Sequence, residues 1–378
     1  MEIKKFYCLD KLKLCYDASI QIADTLAEDG RIVLDDYVIH ITTRNNAKIA
    51  GIIQIPFNDH NPFTVDVADI EFDLSYATSM TDTVYCFLTF KNPFLYRFHH
   101  NYNIKNVLHD IEMLLDLRLR SISSCEVALD VNFCASEYLL SSIRDLNLRL
   151  FVLGREKKSP LDTIDTIAYE LRGSRIDFNR MHIRVRANDN RYQFYVYDKL
   201  QACYAQNKEY ILDHHGIHEG TLYRMECRFT KEQAENYCKH FSCSLLELID
   251  YYLFSQEGLE ELWDYSSKCY LRFADATSTS RRGRTKRFNP FEVCLKQIEA
   301  GVAAPALNTL TFNTTPSGAA PDVLNSMGVK LHADSSNNSN NINPTFKKNN
   351  LSLRLKCRFN RAKRKCNFTK KKNKKHRK

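Results

Sequence analysis

Three segments alternate apolar and polar residues with a period of two, and this pattern confines much of the chain to a sheet with one buried face. They are Cys125-Glu126-Val127-Ala128-Leu129-Asp130-Val131, Gln193-Phe194-Tyr195-Val196-Tyr197-Asp198-Lys199 and Tyr223-Arg224-Met225-Glu226-Cys227-Arg228-Phe229. Side chains along a strand point to opposite faces in turn. Val127, Leu129 and Val131 therefore lie opposite Glu126, Ala128 and Asp130, and Phe194 and Val196 opposite Tyr195, Tyr197 and Lys199. Sheets with one wet face are antiparallel, because parallel sheets are covered on both sides. Further strands are expected at 10–16, 37–42, 50–56, 83–90, 166–171 and 181–186. Helices are expected at 104–119, 136–147, 200–206, 231–241, 245–254 and, short, at 289–298. The expected class is α+β: a largely antiparallel sheet with helices packed on one face and the polar face left for a site.

The polar faces carry unusual chemistry. A tyrosine attacks phosphorus through its phenolate, and a nearby cation favours that form. Tyr197, with Lys199 two residues on, is a candidate nucleophile, and Tyr195 on the same face is its alternative. An ordinary strand with an aromatic wet face has the same pattern. Glu126 and Asp130, separated on their face only by Ala128, repel each other. Mg²⁺ or Mn²⁺ is one way to stabilise such a pair, since hard oxygen ligands suit these ions; an exposed acidic face is the other reading. Glu226 between Arg224 and Arg228 fits either a surface salt-bridge ladder or a third carboxylate beside a phosphate. Arg184 and Arg186 alternate with Ile183 and Val185, and in a hairpin with the next strand they would join the tyrosine face. Guanidinium groups there suit phosphate recognition.

Charge is unevenly placed. The formal net charge is +9, yet residues 347–378 carry sixteen Lys and Arg and no acid, so the remainder is net negative. Such a run fits a nucleic-acid arm, a solubilising tail or a transport address. Residues 300–343 are rich in Ala, Ser, Asn, Thr and Pro, the composition of a flexible linker. The expected organisation is a catalytic domain over 1–275, a linker over 276–345 and a basic tail over 346–378. The thirteen cysteines include no Cys-x-x-Cys pair. Cys238-x-His240-x-x-Cys243 lacks a matching second half for zinc, and His214, His215 and His218 read as an incidental loop cluster. No apolar run approaches the roughly 20 residues of a membrane span. The expected setting is the cytoplasm, with no membrane partner and reduced thiols.

The order of the strands resembles the rolling-circle replication initiators of the Rep_trans type, and more closely the replication endonucleases of filamentous phages. The matching pieces are the opening strand Leu9-Asp10-Lys11-Leu12, Glu126-Val127-Ala128-Leu129-Asp130, Phe194-Tyr195-Val196-Tyr197-Asp198-Lys199 and Arg224-Met225-Glu226-Cys227-Arg228-Phe229. After them come Tyr237-Cys238-Lys239-His240-Phe241 and a helix reaching toward Trp263. The resemblance implies that Tyr197 is the nicking tyrosine with Lys199 as its neighbouring cation. It implies that Glu126, Asp130 and Glu226 hold a catalytic Mg²⁺ or Mn²⁺. Origin DNA would be the substrate, nicked through a 5′-phosphotyrosine link that frees a 3′-OH, with a host helicase and polymerase as partners in a bacterial cytoplasm. Arg184, Arg186, Arg224 and Arg228 are candidate DNA contacts from strand face alone. Relatives often have Arg-Ile-Asp where this chain has Ser124-Cys125-Glu126, which puts the role of Glu126 in doubt. The His-apolar-His metal triplet of the larger nickase class is missing. The resemblance also implies a doublet of strand-helix units, which the sequence does not display as a repeat. Three other readings stay open: a conjugative relaxase of the same fold, a non-enzymatic DNA- or RNA-binding protein in which these side chains are structural, and a eukaryotic nuclear protein with the tail as localisation signal.

Overall fold

The computed structural model describes residues 2–301 apart from 35, 59–60, 77–81, 99–103, 157–167, 172–173, 180–181, 188–192 and 278–286. The expected tail and all but the start of the expected linker lie outside the described residues. The chain divides into two units, Met1–Asn308 and Thr309–Lys378, and the second lies wholly outside them.

The first unit begins with β1 (Lys5–Ser19), α1 (Ile20–Asp29), β2 (Arg31–Leu34), β3 (Tyr37–Asn45), β4 (Lys48–Asn58), β5 (Asn61–Asp73), β6 (Thr83–Phe90) and α2 (Ile104–Leu114). It continues with β7 (Arg118–Val131), α3 (Ala135–Arg144), β8 (Leu148–Val152), β9 (Arg155–Glu156), β10 (Ala168–Leu171), β11 (Ser174–Asn179), β12 (His182–Ala187) and β13 (Gln193–Asp198). Then come α4 (Lys199–Ala205), α5 (Glu209–His215), β14 (Tyr223–Thr230), α6 (Lys231–Phe241), α7 (Leu245–Glu247), α8 (Gln256–Tyr270), β15 (Leu271–Asp275), β16 (Arg287–Phe288) and α9 (Pro290–Glu299). The last two elements lie past residue 275, inside the stretch expected as linker: α9 is the short helix expected over 289–298, and β16 was not expected. A capping box between Asn289 and Glu292, with Pro290 in the first turn, starts α9 there.

Twelve of the strands form one sheet, antiparallel at every pairing, in the order β10-β11-β12-β13-β14-β7-β1-β6-β5-β4-β3-β2. Outward from the central β1–β7 pair the two sides repeat one plan. Each opening strand sits at the centre and runs into a helix. The chain then jumps to the outer edge and returns strand by strand until the last one pairs with the first. The doublet implied by the resemblance thus appears in strand order. In the second half, α4 and α5 are inserted before the closing strand, and β8 and β9 leave to form a smaller sheet, β16-β15-β8-β9.

The apolar face of the second half carries α6 and α8. Fully buried Trp263 of α8 donates its indole N–H to the Met225 carbonyl at 3.0 Å. Tyr270 stacks on Phe194, and Tyr237 of α6 meets Phe229 edge-on. On the polar face, Tyr96 and α5 cover one end, with Tyr96 on Asp10 and His215 on Asp130. The helix expected over 104–119 stops at Leu114. Asp116 takes a left-handed conformation (φ 47°), which breaks the helix, and β7 starts at Arg118, so Leu119 pairs with Tyr16. No helix among the described residues is long and apolar enough to cross a membrane.

Candidate active site

Four adjacent strands of the central sheet meet on the polar face: β13, β14, β7 and β1. Register stacks their side chains in rows. One row pairs Tyr195 with Glu226 and Glu226 with Ala128; the next pairs Arg228 with Glu126 and Glu126 with Lys11; the third pairs Tyr197 with Arg224 and Arg224 with Asp130. The pairing of β1 with β7 slips between Leu9 and Lys11, so Asp10 is the extra residue of a β-bulge. The bulge lets consecutive residues serve the same face: Lys11 lies 3.9 Å from Glu126, and Asp10 reaches the neighbouring side chains.

Asp10, Glu126 and Glu226 bring carboxylate oxygens within 4.8 Å of one another. Tyr197 donates its hydroxyl to Glu226 Oε2 at 3.1 Å. Burial, then the charges of Glu126 and Asp10, push the Glu226 carboxyl up to about 7. Two features of these residues fit a hard divalent cation: an all-oxygen donor set, and a carboxyl raised by burial and by its acidic neighbours.

Lys199 is buried at the start of α4, where Asp198 caps the helix by accepting from the Gln201 amide at 2.9 Å. Its ammonium lies 3.6 Å from Asp10 and 5.9 Å from the centre of the Tyr197 ring. Burial, then the Glu226 charge, raise the Tyr197 phenol well above its ordinary value, with Arg224 acting against them. Burial and the Glu226 charge outweigh the nearby cations at Tyr197, and the Lys199 ammonium pairs with Asp10. The Tyr195 ring is half-buried between guanidiniums, Arg184 at 5.3 Å and Arg228 at 5.9 Å from its centre.

Asp130 lies outside the carboxylate group. Arg224 donates to its two oxygens at 2.6 Å each, and His215 Nε2 lies 2.8 Å from Oδ2. Arg224 is fully buried; it also binds Asp10 and donates to the Tyr96 hydroxyl at 2.7 Å, while Tyr96 donates to Asp10 at 2.7 Å. An arginine enclosed in this way has no reach to DNA, so the surface role expected of it fails on burial. The Arg224 charge holds both Asp130 and Asp10 below the usual carboxylate range, against the penalty of burial. Arg228 is partly exposed and bonds Glu126 through Nε at 2.6 Å. Arg184 is half-buried over Tyr195, and of Arg186 only the backbone, paired with Gln193, is described.

Cys8, Asp130 and His215 form a second buried group with ligand atoms within 4.8 Å, and it could hold a metal ion. It is not a nucleophilic relay. His215 Nε2 faces both the thiol, at 3.8 Å, and Asp130, whereas a relay needs the two ring nitrogens to serve different partners. Burial also pushes the Cys8 thiol up. His215 ends α5 rather than lying in a loop, and His218 is exposed near Asp213. His240 stacks on Tyr265 with ring centres 3.7 Å apart. Asp10, Tyr96 and His215 were missed as site residues. Asp10 had a signal in its place in the opening strand, and His215 one in the histidine cluster that was set aside as incidental.

No protein-family model matches the chain, and no curated protein matches it. Among solved structures, the chain is similar to the rolling circle replication initiator protein from Geobacillus stearothermophilus, at 11% identity and a TM-score of 0.36, over 79% of this chain and 96% of that one. It is also similar to the di-domain ARO/CYC BexL from the BE-7585A biosynthetic pathway, at 8% identity and a TM-score of 0.20, over 70% and 93%. At these scores neither likeness defines the fold or the function of this chain.

Proposed function

We propose that the chain initiates rolling-circle DNA replication as a metal-dependent, site-specific nickase with Tyr197 as nucleophile. The observation that carries this reading is the hydrogen bond from Tyr197 to Glu226 inside a group of three carboxylates on the central strands. A tyrosine that must attack phosphorus needs a base within reach, and the Glu226 carboxylate already accepts its hydroxyl. Glu226 would take the phenolic proton as the tyrosine oxygen bonds to phosphorus and the bond to the 3′ oxygen breaks. The products are a 5′-phosphotyrosine and, once the leaving oxygen is protonated, a 3′-OH primer. The link keeps the phosphodiester's reactivity, so the same site can rejoin ends. Asp10, Glu126 and Glu226 would hold Mg²⁺ or Mn²⁺, and a bound ion would supply Lewis-acid polarisation of the scissile phosphate. Lys199 and Arg224 fix Asp10. Arg228, partly exposed beside Tyr195, is the side chain best placed to meet the DNA backbone.

The test is nicking of a supercoiled plasmid carrying the protein's own replicon, with Mn²⁺, comparing wild type, Tyr197→Phe and Tyr195→Phe on denaturing gels. Metal-dependent protein–DNA adducts lost only in Tyr197→Phe are the expected result. Loss only in Tyr195→Phe would keep the activity and move the nucleophile. A folded protein that binds this DNA and never forms an adduct sinks the proposal.

A further inference from the structure

A cavity of about 470 Å³ lies between α8, the second sheet and the β8–β9 turn. Among the described residues its lining holds three cations, Lys268, Arg272 and Arg287, and no carboxylate. Arg287 pairs with Ala274 across β16 and β15, and Ala274 shares a strand face with Arg272. The two guanidiniums are therefore diagonal neighbours on one face, a position where opposite charges attract and like charges repel.

The carboxylates near them face other cations: Glu156, in one cross-strand row with Arg272 and Phe151, lies 3.8 Å from Arg149. Lys268 has a partner in Asp264 at 2.8 Å, outside the lining. Arg272 lies over Phe151, 5.0 Å from the ring centre, which fixes the plane of its fork. Its Nε is shielded from solvent and has no hydrogen-bond partner among the described residues. A buried N–H left without an acceptor is costly. Burial, then the Arg287 charge, pull the Arg272 guanidinium below its ordinary value. At the rim, Gly154 is left-handed (φ 77°), and a side chain there would meet nothing within 4 Å among the described residues.

We propose that this cavity binds a phosphate group, gripped by the forks of Arg272 and Arg287 with Lys268 beside them. Planar guanidinium forks match phosphate oxygens in pairs, and an acceptor there would satisfy Arg272 Nε. The phosphate belongs either to a nucleic-acid backbone or to a free nucleotide. The inference does not depend on nicking chemistry.

The test uses the full chain. Inorganic phosphate is titrated while the Nε–H signal of Arg272 is followed by NMR. Binding of a labelled single strand and a duplex of unrelated sequence is measured by anisotropy over a salt series. Arg287→Gln, at an exposed position, and Arg272→Lys, which keeps the charge but loses the fork, are compared with wild type after a thermal-unfolding check. Phosphate should move the Arg272 signal in wild type, and Arg287→Gln should weaken phosphate binding about fivefold or more. If DNA affinity also falls and its salt slope drops by about 1, the phosphate is a backbone phosphate. If DNA binding is unchanged while phosphate binding falls, the ligand is free. An Arg272 signal unmoved by phosphate, or phosphate binding equal in wild type and Arg287→Gln, overturns the proposal; Arg287→Gln decides alone if Arg272→Lys does not fold.

Discussion

Arg224 grips Asp130 through two hydrogen bonds of 2.6 Å, and its outer nitrogens hold Asp10 and the Tyr96 hydroxyl. The two aspartates thus share one buried cation, but in different ways. Asp130 spends both oxygens on Arg224 and His215, whereas Asp10 also belongs to the carboxylate group beside Tyr197. In this arrangement Asp130 positions Arg224, and Arg224 positions the carboxylate at the bulge.

Removing Asp130 should therefore act on stability first. Breaking a buried ion pair leaves an uncompensated charge and costs about 3–5 kcal/mol. Asp130→Ala is expected to lose that much in urea unfolding, and Asp130→Asn less, since one acceptor remains. A folded Asp130→Ala with native stability but no Mn²⁺ binding would make Asp130 a ligand instead.

The same pair sets the acid limit. Asp130 and Asp10 titrate below their unfolded values, so below about pH 4 the unfolded chain takes up protons that the native chain resists. Their contribution is complete above that value and is lost as pH falls through the lowered native values. Thermal melts between pH 2 and 6 should show a steep loss of stability on the acid side, shallower in Asp130→Asn.

Glu226 has the opposite sign. Its carboxyl is raised to about 7, so from its ordinary value near 4.5 up to about 7 the native state holds a proton that the unfolded state has released. Stability should fall as pH rises across that window. With EDTA present, Glu226→Gln is expected to remove the slope and to stabilise the protein at pH 8 by an amount on the order of 3 kcal/mol. A wild-type melt that is flat between pH 5 and 7 would contradict this.

A divalent ion should reverse that penalty. Mn²⁺ or Mg²⁺ is expected to raise the melting temperature, by an amount equivalent to about 2.7 kcal/mol at a hundredfold excess over Kd. Affinity should strengthen as pH rises through about 7, because the ion displaces the Glu226 proton. Asp10→Asn and Glu126→Gln should weaken Mn²⁺ binding measured by electron paramagnetic resonance. Unchanged binding in both would place the ion elsewhere, with the Cys8, Asp130 and His215 group next in line.

Gly258 allows α8 to approach the turn before it. A Cβ added there would fall 2.2 Å from the Tyr251 carbonyl oxygen, which is backbone and has little room to yield. Gly258→Ala should cost about 1–3 kcal/mol and disturb the seating of Trp263 behind the sheet, readable in chemical denaturation and tryptophan fluorescence.

The strands that carry Glu126, Tyr197 and Glu226 were legible because period-two alternation exposes both the element and the face. Asp10 was not legible as a ligand. Leu9-Asp10-Lys11-Leu12 reads as plain strand, and only the slip in pairing with β7 aims Asp10 at the site. Asp130 looked like a ligand because it shares a face with Glu126; which carboxylate receives Arg224 is decided by cross-strand register, which a single segment does not encode. The doubled strand order was invisible because the halves share a path and not a pattern of residues. Lys199 follows Tyr197 closely in sequence, yet the helix that Asp198 starts turns its ammonium toward Asp10.

The β1–β7 seam has a consequence for when activity can arise. Asp10 comes from the first half of the chain, and Glu126, Tyr197 and Glu226 come from the second, so neither half holds a whole site. On the proposed reading, a copy broken off midway through synthesis carries one carboxylate and no attacking phenol. On that same reading, cutting waits until the two halves have docked, and assembly of the sheet acts as a safety catch against breaking a genome.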